Sequence, residues 1–180
     1  MKDYFKTSLV LAIICAVAAL MLSSLNSVTA PIIKAYNIQQ TINALESVNP
    51  GYNLGKNFAI DSEVSPYYIP LTENGNIKGY ILELSTNGYG GLITIVASYD
   101  LTGKVMKAKV VRSSETPGLG KKSDNSWYMT KYIDKDPIPT TKTQLSSKDS
   151  AAISGASITF AAIGQALFNG SEYIKTLEAK

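Results

Sequence analysis

Hydroxyl side chains gather around a glycine shortly before the last apolar stretch of the chain. Residues 153–159 read Ile-Ser-Gly-Ala-Ser-Ile-Thr, and apolar residues then recur at helical spacing. We predict a helix that begins near Ser154 and ends at Asn169-Gly170. The N–H groups and the dipole at a helix start favour an anion such as a phosphate. The alternative is that Ser154 serves only as an N-cap.

A second unusual segment is Glu-Thr-Pro-Gly-Leu-Gly at residues 115–120. Pro117 followed by Gly118 is typical of a type II turn, because proline presets φ and glycine supplies the positive φ that follows. Gly120 adds a position where the backbone can approach a ligand closely. An ordinary tight turn after a strand is the alternative. The segment does not begin a nucleotide-phosphate loop, since the glycine required five residues before Gly120 is absent.

The composition removes most other catalytic and metal chemistry. The 180 residues contain no His and one Cys. Nucleophile pairs that use His, zinc sites and iron–sulfur clusters therefore have no ligand set within this chain. The formal net charge of +3 is too small and too dispersed to indicate a nucleic-acid partner. We predict no catalytic residue and no metal site, which leaves the two glycine-bearing loops as the candidate site.

Residues 9–28 form an uncharged, mostly apolar stretch, and the next charged residue is Lys34. A bilayer core of about 30 Å needs about 20 helical residues, so the stretch predicts one transmembrane anchor. A cleaved signal peptide is the alternative, because a basic start, an apolar core and Val28-Thr29-Ala30 also fit one.

The charges before this stretch predict its orientation. Lys2 and Lys6 keep the N-terminus cytoplasmic by the positive-inside tendency. We therefore expect a membrane anchor at residues 1–33 in the plasma or inner membrane. Residues 34–180 would form a domain on the extracytoplasmic side.

The rest of the chain mixes helices with a strand-rich centre. Asn37 is a candidate cap for a helix that Asn49-Pro50-Gly51 would end. A further helix is predicted from near Asp124 to Asp136-Pro137. β-Branched and aromatic residues predict a meander of strands, separated by turns at 74–75 and 100–103, over residues 80–84, 92–99 and 105–111. Together these elements predict an α+β fold, an antiparallel sheet flanked by helices.

Three motifs together resemble a known family. They are Gly-Tyr-Gly-Gly at 88–91, Glu-Thr-Pro-Gly-Leu-Gly at 115–120, and Ser-Gly-Ala-Ser at 154–157 followed by Thr159. Their order and spacing are similar to the FMN-binding domain of the RnfG/NqrC family, whose members are subunits of membrane complexes that move ions using electrons. The resemblance covers most of the chain. It implies an FMN-binding α+β domain behind one transmembrane helix.

The resemblance also implies covalent FMN. In the family a flavin transferase esterifies the FMN phosphate to the last residue of a Ser-Gly-Ala-Thr motif, and that position here is Ser157. Serine keeps the hydroxyl oxygen and lacks the methyl group of threonine. A second departure is Ala151, three positions before Ser154, where the family often has an acidic residue. Both departures concern recognition by the transferase more than binding of FMN.

The implied contacts divide between the phosphate and the ring. The phosphate contacts come from the predicted helix start, namely Ser154, Gly155, Ala156, Ser157 and Thr159. The ring contacts come from the second loop and one aromatic residue, namely Glu115, Thr116, Gly118, Leu119 and Tyr89. Trp127 and Tyr128 are further candidates for ring contact, with a place in the core or on the surface as the alternative.

The implied function is electron relay within a membrane ferredoxin:NAD+ oxidoreductase complex, coupled to movement of Na+ or H+. The chain has no dinucleotide fingerprint and no cluster ligands, so ferredoxin and NAD chemistry would belong to other subunits. The expected partners are the flavin transferase and integral membrane subunits that pack against residues 9–28. Two other classes stay open: a membrane-anchored, non-redox binding or scaffold protein, and a stand-alone extracellular flavin reductase.

Overall fold

The first element of the chain is one long helix. The computed structural model describes residues 2–60 and 62–178. Helix α1 runs over Lys2–Val48, and the chain separates into two compact units, Met1–Gln40 and Thr41–Lys180. By length and apolar composition, Lys6–Val48 qualifies as a candidate membrane span. A signal sequence near an N-terminus meets the same criterion.

The separate helix predicted to begin at Asn37 is wrong, because α1 continues through that position. Pro31 also lies inside α1, where a proline removes a single backbone hydrogen bond that a long apolar helix tolerates. The predicted end is confirmed, since α1 stops directly before Asn49-Pro50-Gly51. The side chain of Asn49 closes this end by accepting the N–H groups of Gly51 (3.0 Å) and Tyr52 (2.9 Å).

Strands dominate the second unit. Within the described residues they are β1 (Asn53–Leu54), β2 (Phe58–Ala59), β3 (Tyr67–Glu73), β4 (Asn76–Asn87), β5 (Leu92–Asp100) and β6 (Val105–Ser113). They pair antiparallel in the order β1-β3-β4-β5-β6, and β2 also pairs with β3. The predicted meander of β4, β5 and β6 is confirmed. So are both turns, where Asn74, Gly75 and Gly103 have positive φ.

Three α-helices follow the sheet within the described residues. They are α2 (Ser126–Met129), α3 (Ser147–Ala152) and α4 (Ser157–Glu178). One 3-10 turn, Gly120–Asp124, precedes α2, and a second, Lys142–Gln144, lies between α2 and α3. The helix predicted to reach Asp136-Pro137 is wrong in extent. It ends at Met129, after which the backbone tightens into turns and Asp134 takes a φ of 56°.

Both predicted ends of the last helix are also wrong. Gly155 has a φ of 80°, which a right-handed helix cannot contain, so α4 begins at Ser157 and not at Ser154. At the other end α4 continues through Gly170 to Glu178. A Cβ at Gly170 would lie 2.4 Å from the hydroxyl oxygen of Tyr99. This glycine therefore permits close packing and does not terminate the helix.

Two helices cover opposite faces of the sheet, because the two apolar clusters use alternate residues of β4 and β5. The cluster under α4 includes Leu84, Tyr99, Phe160 and Leu167. The cluster under the last turns of α1 includes Ala44, Val48, Ile81 and Val96. The fold is therefore α+β with an antiparallel sheet flanked by helices, as predicted.

Candidate functional site

The start of α4 carries no capping side chain. The N–H of Phe160 donates to the carbonyl of Ala156 (2.9 Å), so Ala156 occupies the N-cap position. Its methyl group cannot accept a hydrogen bond, unlike the oxygen of a usual N-cap side chain. The N–H groups of residues 157–159 precede the first intrahelical bond. They are the donors that an anion at a helix N-terminus would use.

Ser157 is the first residue of α4 and is half-buried. Its hydroxyl therefore lies at the N-terminal, positive end of the helix dipole. Ser154 is exposed and lies outside the helix, so it does not cap α4. Between the two, a Cβ at Gly155 would lie 2.8 Å from Cδ2 of Leu119. The glycine thus lets residues 115–120 approach the helix start.

Residues 115–120 form the expected tight turn. Gly118 has a φ of 76°, and the N–H of Leu119 donates to the carbonyl of Thr116 (3.2 Å), as in a type II turn. The N–H of Lys121 donates to the same carbonyl (3.1 Å). The Lys121 ammonium holds the base of the loop by donating to the carbonyl of Ser113 (2.9 Å).

Glu115 joins three separate segments of the chain. Its Oε1 accepts the N–H of Gly90 (2.8 Å), and its Oε2 accepts the hydroxyl of Thr159 (2.5 Å). Both Glu115 and Thr159 are buried. The Thr159 hydroxyl, expected at the phosphate, is therefore already engaged by a carboxylate.

Two glycines make room for this carboxylate. A Cβ at Gly88 would lie 2.2 Å from Oε1 of Glu115, and one at Gly120 would lie 2.2 Å from Oε2. The Cβ at Gly120 would also lie 2.7 Å from the hydroxyl oxygen of Thr159. We expected Gly120 to allow a ligand to approach, and the structure shows that its small size first accommodates Glu115.

A cleft of about 380 Å³ opens where these segments meet. It is lined by Tyr89, Glu115, Thr116, Leu119, Gly120, Gly155, Ala156, Ser157, Ile158 and Thr159. The volume falls within the range of roughly 300–1,000 Å³ that is usual for small-molecule sites. Eight of the ten predicted cofactor-binding residues line the cleft. Ser154 and Gly118 do not. Gly120, predicted as a place where the backbone approaches a ligand, also lines the cleft, and Ile158 lines it without having been predicted.

Comparison with known proteins shows which family and which relatives this chain resembles. Residues 88–171, which contain all three motifs, match the FMN-binding domain family. A relative from Methanosarcina acetivorans, the subunit designated G in an ion-translocating oxidoreductase complex, is 26% identical over 98% of this chain and 97% of its own. The equivalent subunit of the Na(+)-translocating ferredoxin:NAD(+) oxidoreductase complex from Acetobacterium woodii is 29% identical over 90% of this chain and 87% of its own. That of the proton-translocating ferredoxin:NAD(+) oxidoreductase complex from Clostridium ljungdahlii is 24% identical over 92% and 89%.

The domain match and these relatives support the RnfG/NqrC family for this chain. The motif resemblance in the sequence is thereby confirmed at the level of the family. The cleft also fits FMN by its own chemistry. The uncapped start of α4 offers donors to a phosphate, and the exposed side chains of Tyr89, Leu119 and Ile158 offer apolar surface to a flat ring.

The other two aromatic candidates lie outside the cleft. Tyr128 is fully buried and packs against Phe160 and Tyr132, with ring centroids 6.1 and 6.3 Å away. Trp127 is partly exposed, and the Lys131 ammonium lies 5.2 Å from its ring centroid. The core and surface positions considered as the alternative therefore describe these two residues.

Proposed function

We propose that this chain is the electron-relay subunit of a membrane ferredoxin:NAD+ oxidoreductase and carries FMN esterified to Ser157. The names of its relatives support this proposal, since two of them are subunits of ferredoxin:NAD(+) oxidoreductase complexes. One of these complexes is named for Na(+) and the other for protons. The proposal therefore covers coupling to either ion.

One observation carries the proposal: α4 begins without a capping side chain, at a hydroxyl residue in the wall of the cleft. A structural helix start would present serine, threonine, aspartate or asparagine at the position that Ala156 occupies. Here the hydroxyl stands one residue later, at Ser157. The free N–H groups of the first turn would bind the phosphate oxygens, and the helix dipole would stabilise their negative charge.

Attachment requires a transferase and a flavin dinucleotide as donor. The Oγ of Ser157 forms an ester bond with the phosphorus of the FMN half while the phosphoanhydride bond of the donor breaks. The nucleoside monophosphate leaves, and the hydroxyl proton passes to solvent by way of the transferase. No electron is exchanged in this step. Serine suffices for it, because the reacting atom is the hydroxyl oxygen.

The remaining wall of the cleft would position the ring. Leu119 and Ile158 line the cleft from two segments, the loop of residues 115–120 and the first turn of α4. Their side chains, with Tyr89, would cover apolar ring surface and exclude water from it. Thr116 and Glu115 are the polar groups of the same wall and would face the polar edge of the ring. FMN itself supplies the electron-carrying chemistry.

The membrane placement is part of the proposal. Residues 1–33 would anchor the chain with its N-terminus in the cytoplasm, and residues 34–180 would hold FMN on the extracytoplasmic side. A covalent ester suits that location, because a tethered carrier keeps its flavin where free FMN should be scarce. Integral membrane subunits of the same complex would supply and receive the electrons.

Intact-mass measurement tests the attachment. The full chain, made together with the flavin transferase, should gain the mass of one FMN less water. Ser157→Ala should lose this increment, while Ser157→Thr should keep it because the hydroxyl remains. Ser154→Ala is the matched control and should also keep it, since Ser154 lies outside the cleft.

Three results would contradict the proposal. An unmodified mass for the wild-type chain, with no flavin absorbance, would favour a non-redox binding or scaffold protein. Retention of the increment in Ser157→Ala would move the ester to another residue. Rapid turnover of a soluble electron acceptor by the isolated chain would argue for a reductase instead of a relay.

A further inference from the structure

Glu115 is the charged group of the cleft wall that the proposed attachment does not use. Its side chain is 4% exposed and lines the cleft. Within residues 2–60 and 62–178, no lysine or arginine nitrogen lies within 4.0 Å of its carboxylate. A buried charge without a nearby cation acts strongly on its neighbours, because the effective dielectric constant inside a protein is far below that of water.

The carboxylate is also fixed in position. Gly90 and Thr159 each donate to one of its oxygens, and the missing side chains of Gly88 and Gly120 leave it just enough room. Burial raises the pKa of the nearby Tyr128, the interaction with Tyr132 lowers it, and Glu115 raises it. A rigid negative charge therefore stands in the wall of the cleft.

We propose that Glu115 lowers the reduction potential of the flavin held in this cleft. The inference rests on the proposed function, because it needs FMN at that place. Reduction adds electrons to the bound group, and a fixed carboxylate beside it makes that addition less favourable. The first turn of α4 has the opposite effect, since its positive end favours negative charge. The negative charge of Glu115 offsets the positive end of the helix dipole. The hydrogen bond that Glu115 accepts from Thr159 holds the helix start in place.

The flavin midpoint potential of the full chain in detergent tests this inference. The electrode supplies two electrons per flavin, the solvent supplies protons, and Glu115 is neither oxidised nor reduced. In Glu115→Gln, which keeps the shape and removes the charge, the equilibrium constant for reduction should rise at least tenfold. For a two-electron couple that is a shift of about 30 mV to higher potential. An unchanged or lower potential in this variant would overturn the inference.

Glu83→Gln is the matched control. The Glu83 carboxylate is also largely buried, accepts a hydrogen bond from Tyr67 (2.9 Å) and lies outside the cleft. Its loss should leave the potential unchanged, and an equal shift in both variants would overturn the assignment to Glu115.

A second variant covers the case in which Glu115→Gln loses its flavin. Glu115→Met/Thr159→Val removes the charge and its hydroxyl partner together, which avoids an unpaired Thr159 hydroxyl. It should shift the potential in the same direction. Loss of flavin from both variants, each still folded, would overturn the inference in favour of a purely structural role. A wild-type chain without flavin would overturn the proposed function and this inference together.

Discussion

A single methyl group at Gly120 should separate the two sides of the cleft. In Gly120→Ala the new Cβ would meet Oε2 of Glu115 at 2.2 Å and the Thr159 hydroxyl at 2.7 Å. Both residues are buried, and the Thr159 hydroxyl donates a hydrogen bond to Glu115. The loop and the helix start must therefore move apart. We expect a loss of about 1–3 kcal/mol in unfolding free energy, as for other overpacked sites. Flavin absorbance per chain should fall as well.

Gly118→Ala separates this steric effect from backbone strain. Gly118 is in the same loop with a φ of 76°, and a Cβ there would meet nothing within 4 Å. Its cost should come from the left-handed backbone alone, roughly 1–2 kcal/mol. The two variants should therefore have similar melting temperatures and different flavin contents. Equal flavin content in both would show that the Glu115–Thr159 contact does not support the site.

The ion pair between Lys131 and Asp149, a residue of α3, predicts a pH dependence at the residue scale. The pKa of Asp149 is lowered below its ordinary value of 3.8, first by a hydrogen bond from Lys131 (2.6 Å) and then by one from Ser146. A lowered folded pKa stabilises the fold above pH 3.8 and loses this contribution as the pH falls through the folded pKa. The melting temperature of the wild type should therefore fall more steeply below about pH 4 than that of Asp149→Asn.

Lys131→Met is the companion variant for this measurement. It removes the first cause of the lowered pKa while Asp149 remains. The extra acid sensitivity of the wild type should then shrink, although the neutral-pH stability of this variant also changes because Lys131 is buried. If the melting temperatures of the wild type and of Asp149→Asn fall equally from pH 6 down to pH 3, the prediction is refuted.

At the scale of elements, Gly170 sets how closely α4 packs on the sheet. Replacing a helical glycine by alanine usually stabilises a helix by about 1 kcal/mol. Here the new Cβ would lie 2.4 Å from the Tyr99 hydroxyl oxygen, and that hydroxyl donates to the carbonyl of Leu167 (3.0 Å) in the core. We expect Gly170→Ala to destabilise the fold by about 1–3 kcal/mol, measured by denaturant unfolding of the full chain in detergent.

A double-mutant cycle with Tyr99→Phe identifies the cause. Phenylalanine removes the atom that the alanine methyl group would meet first, so the two substitutions should be less costly together than the sum of their separate costs. The coupling should be about 0.5 kcal/mol or more. Gln165→Ala, an exposed change in the same helix, should stay within about 0.5 kcal/mol of the wild type. Stabilisation by Gly170→Ala would mean that helix propensity outweighs this contact.

The elements that could be predicted well from the sequence are those determined by residues close to one another along the chain. The strands of the meander and their turns follow from β-branched residues and from Asn74-Gly75, all within a few residues of one another. Strand β3 was missed because Pro70 interrupts its apolar run and argues against a paired strand. In the sheet the carbonyl of Pro70 still accepts the N–H of Gly55 (2.8 Å). Gly170 led to a wrong prediction of the helix end, because the residue that requires a glycine there is Tyr99, which is distant in the sequence.

The candidate site shows the same division. The type II turn and the placement of Ser157 at a helix start follow from motifs of a few residues. The bond between Glu115 and Thr159 joins residues 44 positions apart, and only the packing of α4 against the sheet creates it. The uncapped helix start could not be predicted from the sequence either, because it depends on the positive φ of Gly155. The motifs therefore identify segments that line the cleft, and the tertiary structure places the Glu115 carboxylate in its wall.

At the scale of the whole molecule, the proposed relay depends on which side of the membrane each end of the chain occupies. Cys15 is the single cysteine of the chain and lies within the candidate span. A thiol in the apolar core of a bilayer should not react with a charged, membrane-impermeant reagent. A Cys15→Ser chain therefore offers a silent background in which one new cysteine at a time reports its own side.

Single cysteines at the two ends test the proposed orientation. In the Cys15→Ser background, Lys142→Cys should be labelled in intact cells by the impermeant reagent, because Lys142 is exposed and its domain would lie outside the cytoplasm. Lys6→Cys should be labelled only after lysis, since the positive-inside tendency keeps that end in the cytoplasm. The reverse pattern would place the flavin on the cytoplasmic side. Release of Lys142→Cys into the soluble fraction, in a form lacking the N-terminus, would show a cleaved signal peptide and remove the anchor.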